Sequence, residues 1–230
     1  MWRDARRSES GSMNTSRNRT LIISAMLAGL CPLVGNGLYA GPDGDGQAIL
    51  DEIQAGLPGI AYVAYPLELV GFIALGVVLA WLVVHLHRRS PIAAAVTGIF
   101  GASMIAVKVG SIAPAMALHT NAEGVDPATA ELVSSLADQA FVISGFLFAV
   151  AFAAAGIGLI KTDMRRWLAW WPAVAGGAGV VTGIVGMVRP EAYVPIPYLL
   201  LLVWLIALAI ATATGPAHAN PTHSRVDATQ

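Results

Sequence analysis

The chain has 230 residues, of which 56% are hydrophobic and 12% are charged, and its mean hydropathy is +0.67. Soluble globular domains contain about 25% charged residues, so this composition excludes that class and indicates a membrane protein. The net charge of -1 is uninformative by itself, and the single cysteine, Cys31, excludes an intramolecular disulfide.

Residues 1–20 and 216–230 are polar and show no hydrophobic period. We predict that the first is a mobile, basic cytoplasmic arm and the second a disordered cytoplasmic tail. A few arginines before a first span are what membrane orientation requires, so we expect no nucleic-acid binding. Translation can start at either Met1 or Met13.

Between these ends lie six long apolar stretches that are separated by charged clusters. A helix needs about 20 residues to cross a hydrocarbon core about 30 Å thick. The sequence therefore predicts an all-α fold, a polytopic membrane helix bundle with six transmembrane helices in one domain, residues 21–215. The predicted spans are residues 21–40, 57–86, 91–118, 132–160, 167–188 and 193–215.

The first span has a second interpretation, because basic residues, an apolar run and then GNGLYA before Gly41 also describe a cleavable signal peptide. Leu38 and Ala40 would occupy the positions before the cut. However, the run stays apolar up to Ala40, which makes it long enough to span. We therefore expect the segment to be retained as a helix.

The charges that flank the spans alternate in sign along the chain. Basic residues lie at both ends of the chain, between the second and third spans, and between the fourth and fifth. The remaining connections are acidic, and Arg189 is their only basic residue. By the positive-inside rule, both termini are expected to be cytoplasmic and the acidic loops external. The basic residues of the inner connections and ends are Arg3, Arg6, Arg7, Arg17, Arg19, Arg88, Arg89, Lys161, Arg165, Arg166 and Arg225.

Two spans carry stripes of small residues at helical spacing. Such stripes let helix backbones approach closely in lipid, so we expect them to face other helices. Those helices can belong to the same chain, to a second copy or to a membrane partner. The stripes are Gly145, Ala149 and Ala153 in the fourth span, and Gly176, Gly179, Gly183 and Gly186 in the fifth.

Three ionisable residues, Glu68, Lys108 and Asp138, lie within predicted spans, where each costs about 2.5 to 3.5 kcal/mol at a helix centre. At about 1.5 Å per residue, all three fall roughly 10 to 15 Å below the outer surface. Because consecutive helices usually pack side by side, Lys108 is expected to lie between the two carboxylates.

This charged layer has two interpretations. It can be a structural ion-pair network, with Gln139, Ser111 and Ser144 as hydrogen-bonding neighbours. Alternatively, it can form an outward-facing site for a small solute, proton or cation, with Asn36, Ser111 and Gln139 also lining the cavity. The first interpretation favours a scaffold or regulatory subunit of a membrane complex, and the second favours a secondary transporter or channel-like protein.

Motifs for catalysis and for cofactor or metal binding were not found. P-loop, HExxH, GxSxG and paired-cysteine patterns do not occur in the sequence. His85, His87 and His119 lie at the ends of their spans, which does not suit haem held between helices. We therefore expect a protein without enzymatic activity, cofactor or metal.

The order of segments carries one resemblance. A short start, MNTSRNRT, precedes a first span rich in Gly and Ala, an acidic loop and five further spans. This pattern resembles the small six-helix membrane proteins of unknown function that are common in bacterial genomes. The resemblance implies an all-helical plasma-membrane protein and supplies no reaction to carry over.

Overall fold

A computed structural model describes residues 2–39, 41–42, 44–55 and 58–214. Within these ranges the chain forms seven α-helices and two short 3-10 turns, and it contains no β-strand. The helices are α1 (Trp2–Leu38), α2 (Gly46–Gln54), α3 (Pro58–Leu86), α4 (Pro91–Asn121), α5 (Pro127–Leu159), α6 (Arg166–Val188) and α7 (Ile196–Ala213).

Six of these helices are long and apolar enough to cross a membrane. They are α3 to α7 and the part of α1 from Asn18 onward. The prediction of an all-α fold with six helices that are long and apolar enough to cross a membrane is therefore confirmed for the described residues, and this architecture is typical of a multi-pass membrane protein.

Helix bounds differ from the predicted spans where local chemistry sets them. α5 begins at Pro127, because Asp126 accepts a hydrogen bond from the backbone N–H of Thr129 and proline suits the first helical position. α7 begins only at Ile196, because the 3-10 turn Pro190–Ala192 precedes it.

Of the two chain ends, the structure describes only the first. Residues 2–20, predicted as a mobile arm, are helical and continuous with the first span in α1. The predicted tail, residues 216–230, lies outside the described residues.

The membrane-length helices follow one another around a closed ring. α1 packs against α3, each later helix packs against the next, and α7 returns to α1. The closing contact is tight, because a Cβ added to Gly29 would lie 2.6 Å from Ile206 Cγ1 and 2.8 Å from the carbonyl oxygen of Leu202. Small residues allow such close approach between helices in lipid.

The two small-residue stripes face each other within the chain, across the contact between α5 and α6. A Cβ on Gly176 would lie 2.5 Å from the backbone nitrogen of Ala153, and one on Gly179 would lie 2.7 Å from Ala149 Cβ. Gly145 and Gly186 face Tyr193 instead. The stripe residues therefore pack within the chain, and a second copy or a membrane partner at these helices stays a prediction.

A column of aromatic side chains fills the centre of the ring. Ring centroids are 5.3 Å apart for Tyr198 and Phe148, 4.5 Å for Phe148 and Phe152, and 5.4 Å for Phe152 and Trp204. Trp204 Nε1 donates a 2.8 Å hydrogen bond to the carbonyl oxygen of Leu168. The column forms part of the buried core, and Trp204 is fixed in it by this hydrogen bond.

α2 is a helix that the sequence analysis did not predict. Asp45 caps it by accepting a 2.9 Å hydrogen bond from the N–H of Ala48. Ile49 and Ile53 are buried against Leu118 and neighbouring alanines of the α4–α5 region. The sequence did contain a signal for this helix, since Asp45 precedes two apolar residues, Ile49 and Ile53, that are four positions apart. We call this side of the molecule the α2 end.

An exposed ion pair joins two connections at the opposite end. Arg89, between α3 and α4, donates a 2.7 Å hydrogen bond to Asp163, between α5 and α6. This hydrogen bond and the positive charge of Arg89 lower the pKa of the Asp163 carboxyl. Because both side chains are exposed, the pair aligns the two connections without much effect on stability.

Candidate functional site: a polar cavity at the α2 end

A cavity of about 330 Å³ lies between the helices at the α2 end. Its size is within the range of small-molecule pockets. Helices α1, α3, α4, α5 and α7 contribute its walls, and the loop after α1 contributes part of its rim. The polar and aromatic lining residues are Asn36, Tyr39, Tyr65, Glu68, Lys108, Ser111, His119, Ser134, Asp138, Phe141 and Tyr198.

A buried ion pair forms the floor of the cavity. Lys108 Nζ lies 3.5 Å from Glu68 Oε2, and their side chains are 14% and 5% exposed. Lys108 Nζ also lies 5.0 Å from the centroid of the Phe141 ring, within cation–π distance. The structure thus brings Glu68 and Lys108, both predicted site residues, into contact.

Helix α1 packs closely against the side chain of Glu68. A Cβ on Gly35 would lie 2.7 Å from Glu68 Cγ and 3.2 Å from the carbonyl oxygen of Ala64, so a larger residue would push the two helices apart. Asn36, which was predicted to line a cavity, does so, and its amide donates a 2.7 Å hydrogen bond to the carbonyl oxygen of Pro32.

The other predicted residues separate into two groups. Asp138 and Ser111 line the cavity, and Ser111 Oγ donates a 2.8 Å hydrogen bond to the carbonyl oxygen of Lys108. Gln139, predicted to line the cavity, is not among its lining residues. The reason is helical geometry: Ser134, Asp138 and Phe141 share one face of α5, and Gln139 is turned about 100° from Asp138.

An aromatic cluster that the sequence analysis missed lies near the rim. Tyr39 OH and His119 Nε2 are 3.1 Å apart and form a hydrogen bond. Their rings lie 5.9 and 6.1 Å from Tyr65, respectively. Ser134 Oγ donates to the carbonyl oxygen of Pro42 at 3.4 Å, which connects the loop after α1 to α5. A usable signal was the one-turn spacing of Tyr65 and Glu68.

Buried polar atoms without a hydrogen bond concentrate on this cavity. Among the described side chains there are three such atoms: His119 Nδ1, Tyr198 OH and Glu68 Oε2, which keeps its 3.5 Å ion-pair contact with Lys108 Nζ. All three residues line the cavity. A buried polar group without a hydrogen bond costs about 1 to 3 kcal/mol, so these atoms indicate a site that can accept polar atoms of a ligand or water.

The charge around the cavity is negative. The connections at the α2 end contain seven acidic residues and Arg189 as their only basic residue, and Glu131 lies near the start of α5. Within the lining, Glu68 and Asp138 oppose the single cation Lys108. A concave site surrounded by one sign of charge attracts solutes of the opposite sign.

Metal-ligating side chains do not cluster in the described part of the chain, where no three of His, Cys, Asp and Glu could hold one ion. The arrangement therefore suits solute binding through hydrogen bonds, charge and ring faces. Comparison with protein families, with curated proteins and with solved structures gives no match.

Proposed function

We propose that this protein is a six-helix bundle of the plasma membrane, without enzymatic activity, that binds a small polar or charged solute in the cavity. Both termini lie in the cytoplasm and the α2 end faces outward. The distribution of basic and acidic connections supports this orientation.

The observation that carries the proposal is the convergence on one cavity of buried polar atoms that make no hydrogen bond. Glu68 Oε2, His119 Nδ1 and Tyr198 OH come from three different helices. A purely structural lock would instead satisfy its buried groups, because unpaired ones lower stability. The ion pair between Glu68 and Lys108 can link α3 to α4 and still present the carboxylate to a solute.

The packed core favours a binding site over an open channel. Tyr198 lines the cavity and also begins the aromatic column that ends at Trp204. Below Tyr198 the column fills the ring, since Phe148, Phe152 and Trp204 are all fully buried. A secondary transporter is the second candidate, and it would require this column to separate during each cycle.

Solvent access to the cavity can be tested with single cysteines. In a Cys31→Ala background, Ser111→Cys places a thiol on the cavity wall, and Ser144→Cys places one in the buried packing of α5. A membrane-impermeant maleimide added to intact cells should label position 111 and leave position 144 unlabelled. His87→Cys, on the exposed connection at the opposite end, should react only after permeabilisation.

Each result has a separate meaning. If cysteine 111 stays unlabelled in both intact and permeabilised cells, the cavity is closed to solvent and the binding proposal is wrong. If cysteine 87 reacts in intact cells and cysteine 111 does not, the orientation is reversed.

A further inference from the structure

We infer that the solute is a small organic cation, an amine or quaternary ammonium that carries apolar substituents. This inference rests on the proposed binding function and names its ligand class. It depends on the charge balance of the lining, on the ring faces and on the kinds of oxygen atom available.

Charge is the first argument. The lining has two carboxylates, Glu68 and Asp138, against one ammonium, Lys108, so it carries a formal surplus of one negative charge. The acidic connections around the rim have the same sign. An anionic solute would have to displace Glu68 from Lys108, which lies 3.5 Å away and supplies the only Lys or Arg charge of the cavity wall.

Ring faces are the second argument. Tyr39, Tyr65, Phe141 and Tyr198 all line the cavity and come from four different segments. Aromatic faces attract alkylammonium groups, and this attraction is stronger when the cation is desolvated. Phe141 already has an ammonium, that of Lys108, 5.0 Å from its ring centroid.

Oxygen supply is the third argument, because it distinguishes an organic cation from a metal ion. Calcium requires about six to eight oxygen ligands, and magnesium requires near-octahedral geometry. No group of three metal-ligating side chains exists among the described residues, and the lining is instead rich in phenol and phenyl rings. A carboxylate and aromatic rings can together bind an alkylammonium, and residues of both kinds line this cavity.

The test compares two probes of the same shape. Choline and 3,3-dimethylbutan-1-ol differ in replacing the positive nitrogen by carbon, so the pair isolates the effect of charge. Isothermal titration of the purified full-length protein in lipid nanodiscs should show choline binding at least tenfold more tightly than the neutral alcohol, because only choline carries the positive charge. A tenfold difference in affinity corresponds to about 1.4 kcal/mol. Glycine betaine and sodium chloride at equal ionic strength serve as zwitterionic and inorganic probes.

Variants of lining residues test whether choline binds in the cavity. Phe141→Leu keeps an apolar side chain and removes the ring, and Asp138→Asn removes one negative charge at nearly constant size. Each should weaken choline binding by at least threefold. Glu131→Gln removes a charge from the same end of α5 outside the lining, and it should leave choline affinity within twofold of the wild type.

Three outcomes would overturn this inference. They are equal affinity for choline and its neutral isostere, tighter binding of betaine than of choline, and no binding of any probe. The first two leave the proposed binding function intact. In the third case, labelling of the cysteine at position 111 decides whether the cavity is accessible and the ligand class is wrong, or whether the binding proposal fails as well.

Discussion

Glu68 and Lys108 stabilise each other only as a pair. Both would be unfavourable alone, because an isolated charge in a low-dielectric layer keeps its desolvation penalty without compensation. Their 3.5 Å contact reduces this penalty on two neighbouring helices at once. Glu68 has the smaller exposed fraction, 4%, so it depends more strongly on its partner.

Removing the lysine tests this dependence. Lys108→Met should lower the free energy of unfolding by about 3 to 5 kcal/mol, because the buried carboxylate loses its counter-charge. Denaturant unfolding of the protein in detergent measures the effect. The double variant Glu68→Gln with Lys108→Met, which removes both charges, should recover most of the loss. An unchanged midpoint in the single variant would contradict the dependence.

Tyr198 and Tyr39 allow a matched comparison, because the hydroxyl of Tyr198 makes no hydrogen bond and that of Tyr39 makes one. Tyr198→Phe removes a hydroxyl without a partner, so the free energy of unfolding should not fall and can rise by about 1 to 3 kcal/mol. Tyr39→Phe removes the hydroxyl bonded to His119, so the same quantity should fall by about 0.5 to 1.5 kcal/mol. Thermal melting in detergent checks the signs. A loss at Tyr198 would mean that its hydroxyl does have a structural partner.

Single residues also show how far the site could be predicted. Charges inside apolar spans are rare and expensive, which is why Glu68, Lys108 and Asp138 were identified from the sequence. Tyrosines at span ends are common as interfacial anchors, so Tyr39 gave no distinct signal, and only the one-turn spacing from Glu68 distinguished Tyr65. Gln139 was misassigned because sequence proximity to Asp138 ignored the rotation of about 100° per residue along a helix.

At the scale of elements, the contact between α5 and α6 depends on glycine. Gly176 lies against the backbone of Ala149 and Ala153, whereas Gly177, the next residue, has no atom within 4 Å of an added Cβ. The two positions share a helix, a residue type and nearly the same depth. They differ in whether a neighbour is present.

This pair gives a controlled substitution. Gly176→Ala should destabilise the fold by about 1 to 3 kcal/mol, since the added methyl group overpacks the interface with α5. Gly177→Ala should cause no loss. Comparing their unfolding midpoints in detergent measures the difference. Equal midpoints would show that the helices can separate slightly without cost.

The spans were predictable as elements because hydrocarbon thickness imposes a minimum length that composition reveals directly. α2 was not, because nine residues in an acidic connection fall below any membrane-based criterion. Its helical state depends on tertiary packing against α4 and α5, which a local pattern indicates only weakly.

At the scale of the whole molecule, α1 completes both the ring and the cavity. It packs on α3 and α7 and places Gly35 and Asn36 beside the floor. We therefore predict that intact-mass measurement of protein purified from membranes will find residues 21–40 still attached. A mature chain starting at Gly41 would contradict the six-helix arrangement and open the ring.

The closed ring also constrains the order of assembly during synthesis. Helices leave the ribosome in chain order, so α3 and α4 can pack together before α5 to α7 are synthesised. The ion pair between Glu68 and Lys108 can form at that stage. This early ion pair reduces the cost of exposing the Glu68 and Lys108 charges to lipid. The cavity, however, needs α1 and Tyr198 of α7, the first and last helices. A chain that stops before α7 therefore has a neutralised ion pair but no binding pocket, so ligand binding would report completed synthesis.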